Sequence, residues 1–187
     1  MEYDLTYYEK MLKINTPTAE LINRKRWEWV QECNPKTVLD YGAGCNFLSL
    51  FAPPNVVVDS YDIGTINGCR YPQTGLRRAA YDLIFINDVL EHIEWQYMPD
   101  LKIEDALKMA TFASVSVPIL PEGVYLHTWK HYKENEHLTT FTAQTLIDFF
   151  AERGYDCVKN GQPECPPRTD IGSFLFQRRK YRGKADR

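Results

Sequence analysis

The stretch Val38–Leu48 (VLDYGAGCNFL) constrains this chain more than any other. It starts as a short apolar strand, breaks at Gly42 and Gly44, and resumes as a helix at Phe47. Two glycines let the backbone turn sharply and approach another group with no Cβ in the way. A strand that runs through such a turn into a helix is a building unit of layered α/β folds.

The rest of the chain repeats that alternation. Tyr81–Asn87 (YDLIFIN) is a continuous apolar run, as expected of a central parallel strand covered on both faces. Thr37–Asp40, Val56–Tyr61, Ala113–Ile119, Tyr155–Val158 and Ser173–Gln177 read as further strands. A first helix is expected from Thr16-Pro17 to Asn34-Pro35, with Ala19, Ile22, Trp29, Val30 and Cys33 at helical spacing. Ile103, Leu107 and Ala110 mark a second. A later helix has Thr142 as N-cap, a hydrophobic staple from Phe141 to Leu146, and Gly154 at its end. The 187 residues suit one domain: an N-terminal helical segment (1–35), a core (36–176) and a basic tail (177–187).

Composition narrows the setting. The net charge of −3 gives the molecule no bulk attraction to nucleic acid. The tail Gln177–Arg187 is basic, with six basic residues against one acidic, and Arg24-Lys25-Arg26 forms a second cluster. Both read as solvated charge in preference to phosphate binding, so a nucleic acid contact through the tail is open but not favoured. The cysteines (Cys33, Cys45, Cys69, Cys157, Cys165) are odd in number and form no CxxC pair. That speaks against a disulfide framework or a zinc ribbon and for a reducing compartment. With no leader-like N-terminus and no long apolar run, a soluble cytoplasmic protein without membrane contact is expected. Oligomeric state is not legible.

A parallel sheet binds ligands at the carboxyl ends of its strands. Three such ends carry chemistry here. The first is Asp40-Tyr41-Gly42-Ala43-Gly44, whose glycines lead into a helix with free N–H groups. The second is Asp62, 22 positions after Asp40, where a carboxylate can accept both ribose hydroxyl protons, with Ile63 behind it to cover an adenine. The third is Asn87-Asp88-Val89, at the end of the central strand. A dinucleotide fingerprint needs a third glycine where this chain has Phe47. Asp40, two residues before Gly42, would repel a pyrophosphate and attract an ammonium group. The pattern therefore favours S-adenosylmethionine over NAD as cofactor.

These residues resemble the class I S-adenosylmethionine-dependent methyltransferases. VLDYGAGCNFL is similar to their first motif, and Asp62 to the acidic residue after their second strand. YDLIFINDVLEHIE resembles their fourth strand and the loop behind it, and EHLTTFTAQTLIDFFAERGY a later histidine-to-helix segment. The likeness covers residues 36–176. It implies a Rossmann-like, doubly wound and mostly parallel sheet of seven strands with a C-terminal antiparallel strand, in three α/β/α layers. It implies that Gly42 and Gly44 approach the methionine part, Asp62 the ribose and Ile63 the adenine. Asn87 and Asp88 would line the pocket beside the sulfur. The chain departs from the family in two respects. The family's first motif usually continues with a third glycine or small residue near Cys45-Asn46. Only 20 positions separate Asp62 from Asp82, about half the usual length, so the edge strand is either vestigial or supplied by Gly68–Pro72.

Methyl transfer asks mainly for alignment and exclusion of water, with a base only where the acceptor must lose a proton. His92, after the central strand, and His137, which matches the family's histidine near the acceptor, are the candidate catalytic residues. His127, His131 and His137 are weighed as a metal site, but no carboxylate or cysteine pattern supports one, so no metal is expected. Trp95, Tyr97, Tyr125, Trp129 and Tyr132 flank the acceptor side as a pocket or as lid packing. The chain has neither the Pro-Pro string of amino-methylating DNA enzymes after Asn87 nor a Pro-Cys nucleophile. The expected function is transfer of a methyl group to oxygen or nitrogen of a small molecule, nucleotide or protein acceptor. The rivals are a degenerate methyltransferase fold serving as an interaction module and, disfavoured by Phe47 and Asp40, an NAD enzyme.

Overall fold

In the computed structural model, the described residues are 16–62, 78–98 and 103–180. Six strands form one sheet: β1 (Thr37–Tyr41), β2 (Val57–Tyr61), β3 (Tyr81–Asn87), β4 (Ala110–Pro118), β5 (Tyr155–Gly161) and β6 (Ile171–Arg178). Their order is β2-β1-β3-β4-β6-β5. Strands β1 to β4 are mutually parallel, and β6 runs antiparallel to both β4 and β5. The sheet is thus the mixed, mostly parallel one expected, with six strands among the described residues instead of seven. Gly68–Pro72, the expected edge strand, and Ile63, the expected adenine cover, lie outside the described residues. β6 also reaches into what reads as tail, through Gln177 and Arg178.

The sheet is covered on both faces because β3 is apolar on both. Leu83, Ile84, Phe85 and Ile86 are fully buried. Leu83 and Phe85 point to one layer, with Trp27, Val30, Val38 and Leu48 from the side of helices α1 (Thr16–Trp29) and α2 (Phe47–Leu50). Ile84 and Ile86 point to the other, with residues of α3 (Ile103–Lys108) and α4 (Ala143–Glu152).

Two further boundaries differ from the expectation. α1 ends at Trp29, where the chain tightens into a 3-10 turn at Gln31–Cys33 and Asn34 takes a left-handed φ of 42°. Its buried stripe is Asn23, Trp27 and Val30, with Trp29 only partly covered. Trp27 lies edge-on to Phe85 at 5.2 Å, and its indole N–H donates to the Leu48 carbonyl at 3.1 Å. Ala110 opens β4 opposite Tyr81 and is not in α3. The join is made by Tyr155, whose hydroxyl lies 2.6 Å from the Leu107 carbonyl and 2.7 Å from that of Ala110. α4 starts as its sequence implies: Thr142 and Thr145 form a reciprocal capping box, and Phe141 and Leu146 are both buried.

Candidate active site

The glycine loop is anchored to the end of β2. Gly42 and Gly44 have φ of 78° and 48°, a region that disfavours side chains. The N–H groups of Gly42 and Ala43 donate to the Tyr61 carbonyl at 2.8 and 3.1 Å, and that of Gly44 to Asp62 Oδ2 at 2.9 Å. A Cβ added at Gly42 would overlap Val89, so the loop is also pressed against the end of β3. Asp40, Tyr41, Gly42, Ala43, Gly44, Asp62, Asn87, Asp88 and Val89 therefore gather at the carboxyl ends of three neighbouring strands. Ile63 lies outside the described residues.

Asp40 is 5% exposed, and no hydrogen bond reaches its carboxylate among the described residues. Burial pushes its pKa up to about 7, Asp62 adds to that rise, and Arg26 opposes it. Tyr41 stacks at a tilt on Tyr61 at 5.1 Å. Its buried hydroxyl and the side-chain oxygen of Asn87 have no hydrogen-bond partner among the described residues. A site with buried polar atoms of this kind suits a polar ligand.

Asp88 adopts a left-handed φ of 56° and is held by two arginines. Arg168 reaches its two oxygens at 2.9 and 2.5 Å, and Arg26 reaches Oδ2 at 2.7 Å. Glu164, fully buried, pairs with Arg26 at 2.8 Å and with Arg168 at 2.9 Å. Burial alone would raise the Asp88 carboxyl. The neighbouring Arg168 and Arg26 outweigh it and hold the group well below the usual carboxylate range. This ion quartet was not legible from the sequence. Arg26 is 11% exposed, so it is no solvated member of a basic cluster. Lys25, beside it, donates to the Pro166 carbonyl at 2.7 Å.

On the other side of β3, the turn Leu90–His92 presents Glu91 and His92. Thr139 fastens the incoming loop to that turn, its N–H on the Glu91 carbonyl at 3.1 Å and its hydroxyl on the Ile93 carbonyl at 2.6 Å. His137 is thereby brought beside His92, with ring centroids 5.0 Å apart. Glu91 is 2% exposed, and burial, then the Asp88 charge, raises its carboxyl pKa well above the ordinary value. His131 is held elsewhere, its Nε2 at 3.0 Å from the Thr169 carbonyl. Of the aromatic residues, Trp129 is buried, while Trp95, Tyr97, Tyr125 and Tyr132 are exposed. Trp95 packs against Phe149 at 5.7 Å.

No helix among the described residues is long and apolar enough to cross a membrane. Residues 20–160 match the family model described as a methyltransferase domain. No curated protein matches the chain. Among solved structures, a putative O-methyltransferase from Nostoc punctiforme superposes with a TM-score of 0.68 at 14% identity, over 93% of this chain and 59% of its own. The chain thus spans little more than half the length of that structure. Magnesium protoporphyrin IX methyltransferase from Synechocystis gives 0.63 at 14% identity, over 89% of each chain. The 1,6-didemethyltoxoflavin-N1-methyltransferase of Burkholderia thailandensis gives 0.61 at 14%, over 88% of this chain and 78% of its own. With the family model spanning most of the core and this sheet beneath it, the chain belongs to the methyltransferase-domain family.

Proposed function

We propose that the chain binds S-adenosylmethionine and transfers its methyl group to an oxygen or nitrogen of an acceptor. The observation that carries this reading is the joining of the glycine loop to Asp62, with Asp40 buried beside it and accepting no hydrogen bond among the described residues. The Asp40 carboxylate is placed to attract the ammonium group of the methionine part. Tyr41, Gly42, Ala43 and Gly44 offer backbone to that part, and Asp62 offers its carboxylate to the ribose. Asn87, Asp88 and Val89 wall the pocket near the sulfur, and Ile63 covers the adenine. His92 and His137 face the acceptor. The Synechocystis methyltransferase structure holds S-adenosylhomocysteine, the product such a site would retain. The acceptor class is a small molecule, a nucleotide or an exposed protein group, met in a reducing, cytoplasmic setting.

Calorimetric titration with S-adenosylmethionine and with NAD tests the reading. Micromolar binding of the first alone, lost in Asp62→Ala, supports it. Absence of binding to either would overturn it. Turnover against a panel of metabolites and tRNA then separates an active enzyme from an interaction module that keeps the fold.

A further inference from the structure

Glu91 poses a problem that the methyl-transfer reading does not solve. Its side chain is almost wholly buried, yet Oε2 has no hydrogen-bond partner among the described residues. Desolvating a carboxylate oxygen without a partner is costly, and the position of Asp88 three residues earlier makes a lone negative charge worse. Arg168 and Arg26 act on Glu91 through space, yet neither donates a hydrogen bond to Oε2 among the described residues, so a contact at that oxygen is what is missing.

Two imidazoles stand at the same place. His92 sets Nδ1 at 3.0 Å from the Glu136 carbonyl, and His137 sets Nδ1 at 2.7 Å from the His131 carbonyl. A carbonyl only accepts, so each Nδ1 carries the proton and each Nε2 presents its lone pair. Each Nε2 has a carboxylate near it: His92 Nε2 lies 4.0 Å from Glu91 Oε1, and His137 Nε2 lies 3.9 Å from Glu136 Oε1, which Lys133 already pairs at 2.7 Å. A ring whose far nitrogen is fixed on a backbone carbonyl is the arrangement that orients metal-ligating histidines and raises their basicity. One donor atom from each of Glu91, His92 and His137 lies within 4.8 Å of the others. Donors around a tetrahedral zinc ion are about 3.3 Å apart, given bonds of about 2.0–2.1 Å. Closing the gap asks for side-chain rotation alone, because the Thr139 hydrogen bonds hold the two backbone segments together.

We propose that Glu91, His92 and His137 form a binding site for a divalent transition-metal ion, of the two-histidine, one-carboxylate kind. Two imidazoles and one carboxylate suit Zn2+, Fe2+, Co2+ or Mn2+ better than Ca2+ or Mg2+, which prefer all-oxygen sites. Three protein ligands leave at least one position open, as in catalytic metal sites. Resting on the methyltransferase reading, that position would favour an acceptor with an ionisable hydroxyl, because a bound cation lowers the pKa of an oxygen ligand. The site replaces the combination of His127, His131 and His137 weighed from sequence, since His131 is committed to Thr169.

The test is calorimetric titration of the whole chain, stripped of metal with EDTA, with ZnCl2. One ion per chain should bind with a micromolar or tighter Kd, weakened about 100-fold or more in His137→Ala and in the near-isosteric Glu91→Gln. Cobalt substitution should give visible absorption bands, absent from both variants. His131→Ala should bind zinc like the parent and controls for loop damage, with circular dichroism confirming the fold of every variant. Absence of stoichiometric binding, or equal binding in Glu91→Gln and His137→Ala, would overturn the site. Titration with S-adenosylmethionine is a separate measurement: binding of cofactor without zinc removes the metal site and leaves the methyltransferase reading, and zinc without cofactor does the reverse.

Discussion

Arg168 grips Asp88 with both terminal nitrogens, at 2.9 and 2.5 Å, although 80 positions separate the two residues. Arg26 and Glu164 complete the quartet, so each charge faces two of opposite sign. Removing one member leaves an unmatched charge in a cluster where Glu164 is buried and Arg26 nearly so, although Asp88 and Arg168 stay partly exposed. Glu164→Gln leaves two guanidinium groups sharing one carboxylate, and a loss of about 3 kcal/mol is expected. Urea unfolding should show a lower midpoint at unchanged slope. A loss below about 1 kcal/mol would mean that the quartet is well hydrated.

Gly42 is constrained twice, by its φ of 78° and by Val89 beside it. Gly42→Ala should cost about 2–3 kcal/mol through clash and backbone strain together. Val89→Ala in the same chain should return the steric share and leave about 1 kcal/mol of strain. Simple additivity of the two losses in a double-mutant cycle would show that Val89 is not the obstacle.

Asp40 sets a pH dependence whose sign follows from its raised pKa. The folded chain holds this proton up to about pH 7, whereas an unfolded chain releases it near 3.8, the ordinary value of an aspartate. Between those values the native state binds more protons, so this group's contribution makes stability fall as pH rises, by at most about 4 kcal/mol, and level off above pH 7. Asp40→Asn should lose that slope, read as the difference between variant and parent unfolding curves at pH 5 and pH 8. In the proposed function an ammonium ligand needs the ionised form, so S-adenosylmethionine should bind about tenfold more tightly per pH unit up to pH 7. Calorimetry in buffers of different ionisation heat should detect the released proton.

Tyr155 holds the carbonyls of Leu107 and Ala110 where α3 gives way to β4. Burial pushes its hydroxyl up to about 12, so it stays a donor at all ordinary pH values. Tyr155→Phe should cost about 1–2 kcal/mol, because two buried carbonyls lose their common donor. Native-state hydrogen exchange should localise the loosening to the first residues of β4.

Features written in contiguous residues could be read from the sequence. β3 announced itself as an unbroken apolar run, and Thr142 as a cap framed by Phe141 and Leu146. The glycine loop and Asp62 were legible through their spacing, since strand lengths in a parallel sheet fix where the next strand ends. The helix stripe was misread because Trp27 and Trp29 stand two positions apart and cannot share a face; Phe85 selects Trp27. Ala110 fits helix or strand equally, and pairing with Tyr81 decides. The ion quartet had no local signal at all. Arg26 sits in a run of three basic residues, and what turns it inward is two carboxylates 62 and 138 positions away. Glu91 was hidden for the same reason, since only folding shows that it is buried beside His92 and His137.

The quartet also bears on how the chain comes off the ribosome. Arg26 and Asp88 emerge early, but Glu164 and Arg168 follow only after β5 has been made. Until then Asp88 has half its counter-charge and the end of β3 has no clamp from the far side of the sheet. A nascent chain halted before residue 164 should therefore hold the glycine loop and Asp62 yet leave Asp88 loosely placed. The Asp88 end of β3 is clamped only once the loop between β5 and β6 has been made.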